Sequence, residues 1–128
     1  MSNKDSILLY QFPISHYCEK VRWALDFKGL AYTQINCLPG LHVKQNKKLA
    51  KHSSVPILKH KGTVIQGSAK IIDYLETTFP EKPLNFSDEQ RAREAIEWER
   101  FADEYIGPQV RRIMYHDLLN HPNIVIPI

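Results

Sequence analysis

Ser15 and Cys18 are the first residues in the chain whose types and spacing could do chemistry. They lie where the apolar run Ile7–Tyr10, short enough for a buried strand, gives way to the i, i+3, i+7 apolar spacing of a helix. Ser15 is a favoured N-cap residue, because its side-chain oxygen can accept from the first free N–H groups of a helix. An anion near such a helix start is stabilised by backbone donors and by the helix dipole. Cys18 falls on the predicted apolar face, where a cysteine is usually buried and inert.

Two further motifs stand later in the chain. Ser54-Val55-Pro56-Ile57-Leu58 precedes a Gly-containing hairpin signal at His60-Lys61-Gly62. Ser68 then stands at the start of an amphipathic helix that Pro80 ends, and its hydroxyl is predicted to cap that helix. Each of these motifs is ordinary by itself, so their meaning depends on the elements that carry them.

The apolar periodicity predicts seven elements in the order βαβαββα. Gly29 ends the first helix, as a C′ residue should, and Pro39-Gly40 closes the second strand. The predicted strands are Ser6–Gln11, Ala31–Asn36, Val55–Lys59 and Thr63–Ile65, and the predicted helices are His16–Lys28, Leu41–Lys51 and Ser68–Phe79.

A second, helical part is predicted after residue 82. Pro80-Glu81-Lys82-Pro83 is the best candidate for a linker, and Ser87 with Gln90 forms a predicted capping box at the start of a long helix. Gly107-Pro108 is expected to kink or break that helix before a further one that runs to about Leu119. The apolar end Ile124–Ile128 has no predicted partner. We therefore expect two domains, 1–82 and 83–128, the second being the beginning of an all-α domain that is truncated or completed by another chain.

Composition and charge narrow the functional classes. The chain has 128 residues and a net charge of +3, but residues 1–82 carry twelve Lys or Arg and six Asp or Glu, whereas residues 83–128 carry five and eight. The basic excess includes the lysines of the second predicted helix, at Lys44, Lys47, Lys48 and Lys51. No aromatic interleaving or nucleic-acid motif accompanies them, so a solvated helix face is favoured over a nucleic-acid partner.

No signal peptide, membrane span or metal-ligand spacing is visible in the sequence. Its two cysteines form no disulfide framework, and its six histidines match no metal motif. We therefore expect a cytoplasmic protein with reduced thiols, with no metal and no membrane partner.

Taken together, the three motifs in this βαβαββα order resemble the N-terminal thioredoxin-like domain of cytosolic glutathione S-transferases. The stretch Ser15-His16-Tyr17-Cys18-Glu19-Lys20-Val21-Arg22-Trp23-Ala24-Leu25 is similar to the helix-one signature of the serine-type members. The resemblance covers residues 6–82 and implies an α/β domain with a mixed four-stranded sheet, followed by the helices of an incomplete all-α domain.

The resemblance implies a role for each matching residue. Ser15 would donate a hydrogen bond to the glutathione sulfur and hold it as the thiolate, and so would be the catalytic residue. Pro56 would follow a cis peptide bond and leave the Val55 backbone free to pair with the cysteinyl part of glutathione. Ser68 would bind the γ-glutamyl carboxylate at a helix N-terminus.

The sequence departs from the family pattern at the residue before Ser68. Related sequences usually have Glu or Gln there, and this chain has Gly67, with Gln66 one place earlier. Contact to the glutamyl ammonium would then come from Gln66 or be absent. Lys51 or His52 would hold the glycyl carboxylate, and His16 would lie close to the glutathione site.

The implied function is transfer of glutathione, as co-substrate, to a small electrophile in a detoxifying, homodimeric transferase. Whether the protein is an enzyme depends on a complete helical domain in the natural protein. Two alternatives stay open at this point: a non-catalytic binding or scaffold protein of the same fold, and a glutaredoxin-like thiol oxidoreductase.

Overall fold

A computed structural model describes residues 5–121. It divides the chain into two compact units with the boundary between Leu84 and Asn85. None of the helices in this described range is long and apolar enough to cross a membrane. The predicted apolar segment Ile124–Ile128 lies outside the described residues.

The first unit confirms the predicted order of strands and helices and the mixed four-stranded sheet. The strands follow the spatial order β2-β1-β3-β4; β1 and β2 are parallel, whereas β3 is antiparallel to both β1 and β4. The strands are β1 (Ile7–Gln11), β2 (Tyr32–Asn36), β3 (Ile57–His60) and β4 (Thr63–Gln66), and the helices are α1 (His16–Phe27), α2 (His42–Leu49) and α3 (Ser68–Thr78).

The core lies between the sheet and the pair α1 and α3. Alternate residues of β1 face this side, and Ile7 and Leu9 are buried there. The remaining buried members of the core come from α1, β3 and α3, and they are Val21, Ala24, Leu25, Leu58, Ile71 and Leu75. Helix α1 ends as predicted, because Gly29 takes a φ of 68° that glycine tolerates. This core fixes the N-terminal ends of α1 and α3, where the predicted site residues lie.

Two of the predicted helix caps are wrong by one residue. Ser68 is the first residue of α3, and the N-cap is Gly67 with φ 98° and ψ 137°. Since only glycine adopts such a φ readily, the turn is made at Gly67 and the helix starts directly after it. In the second unit the cap is Asp88, whose carboxylate accepts from the Arg91 N–H at 2.8 Å, instead of Ser87. Asp and Ser are similarly good N-caps, so the two neighbouring residues compete for the same position.

The second unit is a long helical segment. It consists of α4 (Glu89–Phe101), a π-helical turn (Ala102–Ile106) and α5 (Gly107–Asn120). The predicted kink or break at Gly107-Pro108 is replaced by this wider turn, after which Gly107 keeps helical angles and Pro108 occupies the first turn of α5. Within the described part of this unit, Gly107 is the one fully buried residue.

Candidate functional site

The turn from β1 into α1 places Ser15 as the sequence predicts. The Ser15 N–H donates to the Phe12 carbonyl at 3.1 Å, and its hydroxyl oxygen accepts from the Cys18 N–H at 3.3 Å. Ser15 is half-buried in an extended conformation that is typical of an N-cap. A hydroxyl that accepts from the backbone keeps its own proton to donate, so Ser15 can present a donor to an anion at the start of α1.

Cys18 lies on the buried face of α1 and is fully shielded from solvent. Burial raises the pKa of its thiol, although a hydrogen bond with Ser15 acts in the opposite direction. A buried thiol with a raised pKa is a poor nucleophile, because the thiolate is the reactive form. The predicted structural role of Cys18 is therefore consistent with its surroundings.

The loop before β3 brings a second predicted motif to the start of α3. The Val55–Pro56 peptide bond is cis, as the resemblance implies. The Pro56 carbonyl accepts from the Gly67 N–H at 3.0 Å, which joins this loop to the turn that begins α3. Between Asp5 and His121 no hydrogen bond engages the N–H or the carbonyl of Val55. The Val55 backbone is thus available to pair with an extended peptide-like ligand.

Gln66 has a role that the sequence did not reveal. Its side-chain oxygen accepts from the His52 N–H at 3.0 Å, and its amide nitrogen donates to the carbonyls of His52 at 2.7 Å and Ser54 at 2.9 Å. These three hydrogen bonds attach the segment before Val55 to the end of β4. The Gln66 amide therefore holds the loop, and both of its N–H donors are engaged within the protein.

Ser68, the first residue of α3, and Lys20, the fifth residue of α1, form a polar pair. Ser68 is buried, and the Lys20 ammonium donates to its hydroxyl oxygen at 3.4 Å. Lys20 was not predicted as a site residue. Its position five residues after Ser15 on α1 was visible, but its partner lies 48 residues away in sequence. The pair places a cation at a helix N-terminus, where an anion is already favoured.

The remaining predicted site residues lie at the margin of this arrangement. Lys51 and His52 are exposed, and the backbone of His52 is hydrogen-bonded to the Gln66 side chain. His16 is half-buried and its ring lies against that of Tyr17 in a tilted arrangement, with ring centroids 4.2 Å apart. Neither of its ring nitrogens has a hydrogen-bond partner among residues 5–121. In the same range no group of three or more His, Cys, Asp or Glu is placed to hold a metal ion.

Over a long stretch of the chain around the site, all the charged side chains are positive. Residues 27–72, which include α2, the Val55–Pro56 loop and the start of α3, contain no Asp or Glu. Their positive potential favours a ligand that carries carboxylates. The stretch contains eight lysines, which are Lys28, Lys44, Lys47, Lys48, Lys51, Lys59, Lys61 and Lys70.

Comparison with known families identifies the family of this fold. Residues 9–83 match the family model described as glutathione S-transferase, N-terminal domain, and this match covers more than half of the chain. The chain therefore belongs to the glutathione S-transferase family.

The sequence is also similar to individual glutathione S-transferases. The chain is 39% identical to glutathione S-transferase 1 of Dianthus caryophyllus over 93 residues, which is 70% of this chain and 42% of that protein. It is 28% identical to glutathione S-transferase U10 of Arabidopsis thaliana over 114 residues, or 87% of this chain and 47% of that protein. The chain thus spans less than half the length of these two relatives.

Solved structures resemble the fold over most of its length. The beta-etherase LigF from Sphingobium sp. strain SYK-6 matches with a TM-score of 0.79 at 28% identity, covering 96% of this chain and 58% of that one. A Tau class glutathione S-transferase from the mango Mangifera indica matches with a TM-score of 0.73 at 24% identity, covering 86% of this chain and 51% of that one.

Proposed function

We propose that this chain binds glutathione and stabilises its thiolate for attack on a small electrophile. The observation that carries the proposal is the position of the Ser15 hydroxyl at the N-terminus of α1. In a serine-type transferase the sulfur of bound glutathione lies at such a hydroxyl. The two other polypeptide segments of the proposed site, at Val55–Pro56 and Gly67–Ser68, are joined to each other by a backbone hydrogen bond.

Each end of glutathione has a complementary group in this proposal. The γ-glutamyl carboxylate binds at the start of α3, where Ser68, the free N–H groups of the helix and the Lys20 ammonium favour an anion. The cysteinyl part pairs with the Val55 backbone as an added strand. Lys51 or the His52 side chain takes the glycyl carboxylate. Since Gln66 is engaged by the loop and Gly67 has no side chain, the glutamyl ammonium gains no side-chain contact at Gly67.

Ser15 acts electrostatically and forms no covalent bond. The thiol of glutathione has a pKa of about 8.5, like that of a free cysteine, and a donor at a helix N-terminus lowers it. The thiol proton leaves to solvent, and the thiolate then uses its electron pair to form the new bond to the electrophile. A leaving group departs with the electron pair of the bond that breaks. The Ser15 hydroxyl donates to the sulfur while it carries the negative charge.

The activity of the whole protein also depends on features beyond these residues. Transferases of this family use a helical domain to form the electrophile pocket and pair as homodimers, and we propose the same for this protein. A cytoplasmic, detoxifying role is part of that proposal.

A non-catalytic glutathione-binding or scaffold protein is the second candidate. It is favoured by the departure at Gly67 together with the engagement of Gln66, because both remove side-chain contacts from the glutamyl end of the ligand. A glutaredoxin-like reductase is disfavoured, since Cys18 is buried with a raised thiol pKa.

Substitution of Ser15 separates the transferase from the binding protein. In Ser15→Ala, calorimetry is expected to show that glutathione still binds, while the pH titration of thiolate absorbance shifts upward. One hydrogen bond to a charged group contributes about 1.5–3 kcal/mol, so the thiol pKa should rise by about 1–2 units. Ser87→Ala, which removes an exposed hydroxyl in the second unit, is the matched control and should leave the titration unchanged.

Two results would contradict the proposal. No heat of binding at millimolar glutathione would exclude glutathione as the ligand. A bound thiol with an ordinary pKa in the wild-type protein, also unchanged by Ser15→Ala, would show that Ser15 is only a helix cap and would favour the non-catalytic protein.

A further inference from the structure

Gln11 is a fully buried polar residue at the end of β1, directly before the turn that carries Ser15. It is 1% exposed. Its side-chain amide nitrogen donates to the side-chain oxygens of Gln34 and Asn36, both at 3.0 Å. Asn36 is its partner across the parallel pair of β1 and β2. A buried amide needs its hydrogen bonds, and these two bonds fix the Gln11 side chain against the neighbouring strand.

Arg22, on α1, is hydrogen-bonded to this fixed Gln11 side chain. One terminal guanidinium nitrogen donates to the remaining Gln11 oxygen, and the other donates to the Pro13 carbonyl at 3.0 Å. The Arg22 Nε donates to the Glu19 carboxylate, also at 3.0 Å. The Arg22 side chain is 12% exposed, so these contacts are largely shielded from water. All three guanidinium nitrogens are thus used, and Arg22 reaches back along α1 to the turn before Ser15.

Glu19 is itself held in place on the opposite side of the guanidinium. Its second carboxylate oxygen accepts from the Trp23 indole N–H at 2.6 Å. The hydrogen bond from Arg22, followed by that from Trp23, lowers the pKa of the Glu19 carboxyl. The carboxylate therefore stays ionised at neutral pH and faces Arg22.

These contacts lie next to the turn that carries the Ser15 hydroxyl. The turn is closed by the bond from the Ser15 N–H to the Phe12 carbonyl, and within it Arg22 donates to the carbonyl of the peptide group that follows Pro13. We propose that Arg22 is a positioning residue for Ser15: its planar guanidinium group holds the Phe12–Ser15 turn so that the hydroxyl points at the ligand sulfur. Gln11 and Glu19 orient the guanidinium group. This inference rests on the proposed function.

The planar geometry of arginine is essential to this role. A guanidinium can bind Gln11, Pro13 and Glu19 at once in one plane, whereas an ammonium is a point charge that cannot span the same three acceptors. A purely electrostatic role would survive Arg22→Lys but not Arg22→Met, whereas the positioning role is lost in both variants. Arg22→Met removes both the planar guanidinium group and its charge, and Arg22→Lys keeps the charge but loses the planar group.

The test is the pH titration of thiolate absorbance in the glutathione complex of each variant. Both Arg22→Met and Arg22→Lys are expected to raise the thiol pKa, so that the thiolate fraction at neutral pH falls about tenfold for each unit of the rise. In a Ser15→Ala background the same two substitutions are expected to give no further shift, because Arg22 acts through Ser15. Lys28→Met, which removes a buried cation far along α1, is the control for general destabilisation and should leave the thiol pKa unchanged.

Three results would overturn the proposal. An unchanged thiol pKa in Arg22→Met would make Arg22 a purely structural residue. Full rescue by Arg22→Lys, or an equal shift in the Ser15→Ala background, would show that the charge of Arg22 acts on the thiolate directly.

A second measurement keeps this proposal separate from the proposed function. Amide hydrogen exchange of Ser15 and Cys18 in the ligand-free protein is expected to accelerate in Arg22→Met and Arg22→Lys, and to stay unchanged when the exposed Lys70 on α3 is replaced by methionine. If wild-type protein fails to bind glutathione, the proposed function fails, but faster exchange would still show that Arg22 holds the turn. Unchanged exchange would refute the positioning role itself.

Discussion

Replacing Lys28 by methionine is expected to lower the free energy of unfolding by about 3–5 kcal/mol. The Lys28 side chain is 1% exposed, at the C-cap of α1. Its ammonium donates to the carbonyls of Phe79 and Lys82, both at 2.8 Å, and lies 2.7 Å from a Glu76 carboxylate oxygen. All three ammonium protons therefore have acceptors, and they tie the end of α1 to the residues at the end of α3.

The magnitude follows from two opposing contributions. Three hydrogen bonds from a charged donor are worth about 4.5–9 kcal/mol together. Removing an ammonium from water costs several kcal/mol, and this cost disappears with the charge. Methionine has a similar length and leaves no large cavity, so the measured loss is the contribution of the contacts minus the cost of burying the ammonium. Since domains of this size are stable by about 5–15 kcal/mol, the effect should be easy to measure.

Urea unfolding of wild type, Lys28→Met and Lys70→Met provides the assay. Lys70 is an exposed lysine on α3, and its replacement should change the free energy of unfolding by less than about 0.5 kcal/mol. Glu76→Gln should destabilise the wild type more than it destabilises Lys28→Met, because the ion pair is already absent in the latter. A loss below about 1 kcal/mol in Lys28→Met would refute the reasoning and show that desolvation of the ammonium offsets its three contacts.

Two further predictions concern Gly67 and His60. Gly67→Ala should lower the free energy of unfolding by about 1–3 kcal/mol, because alanine is strained at the φ of 98°. No neighbouring atom lies within 4 Å of the added Cβ, so a steric clash does not contribute. An unchanged urea midpoint would contradict this conformational origin. His60 is buried, and desolvation, followed by the Lys61 charge, lowers its pKa. Its stabilising contribution should be complete above the unfolded-state pKa of about 6.5 and be lost as the pH falls towards the lowered folded-state pKa. Unfolding measured across this range should therefore show a steeper acid loss in wild type than in His60→Gln, with exposed His52→Gln as the control.

The fold was predictable because its signals are local. The apolar periods of β1 and α1, the Ser15 cap and the glycine at Gly29 each depend on residues only a few positions apart. The exact start of a helix was less predictable, because neighbouring residues with similar preferences compete for the cap. For this reason the N-cap of α4 is Asp88 and not the predicted Ser87. At α3 the backbone angle of Gly67 makes this glycine the N-cap in place of the predicted Ser68.

The buried polar groups were not predictable from the sequence alone. Lys28 reads as an ordinary basic residue at the end of a helix, yet its acceptor at Phe79 lies 51 residues away. Gln11 and Lys20 likewise acquire their roles from partners on other elements. Polar residues are mostly exposed unless such partners exist, and only the folded chain brings the partners together.

Gly67 connects the stability of this site to its proposed affinity for glutathione. A Glu or Gln at this position would have to adopt the φ of 98° that the turn requires, which is costly for any residue with a Cβ. Glycine makes the same turn without strain but offers no side chain to the glutamyl ammonium. Because Gln66 is engaged with His52 and Ser54, it does not replace that side chain. Gly67→Gln should therefore change the two properties in opposite directions: a less stable fold, and tighter binding of glutathione measured by calorimetry, by about tenfold for each 1.4 kcal/mol that the new contact contributes. Weaker or unchanged binding would show that the position does not face the ligand.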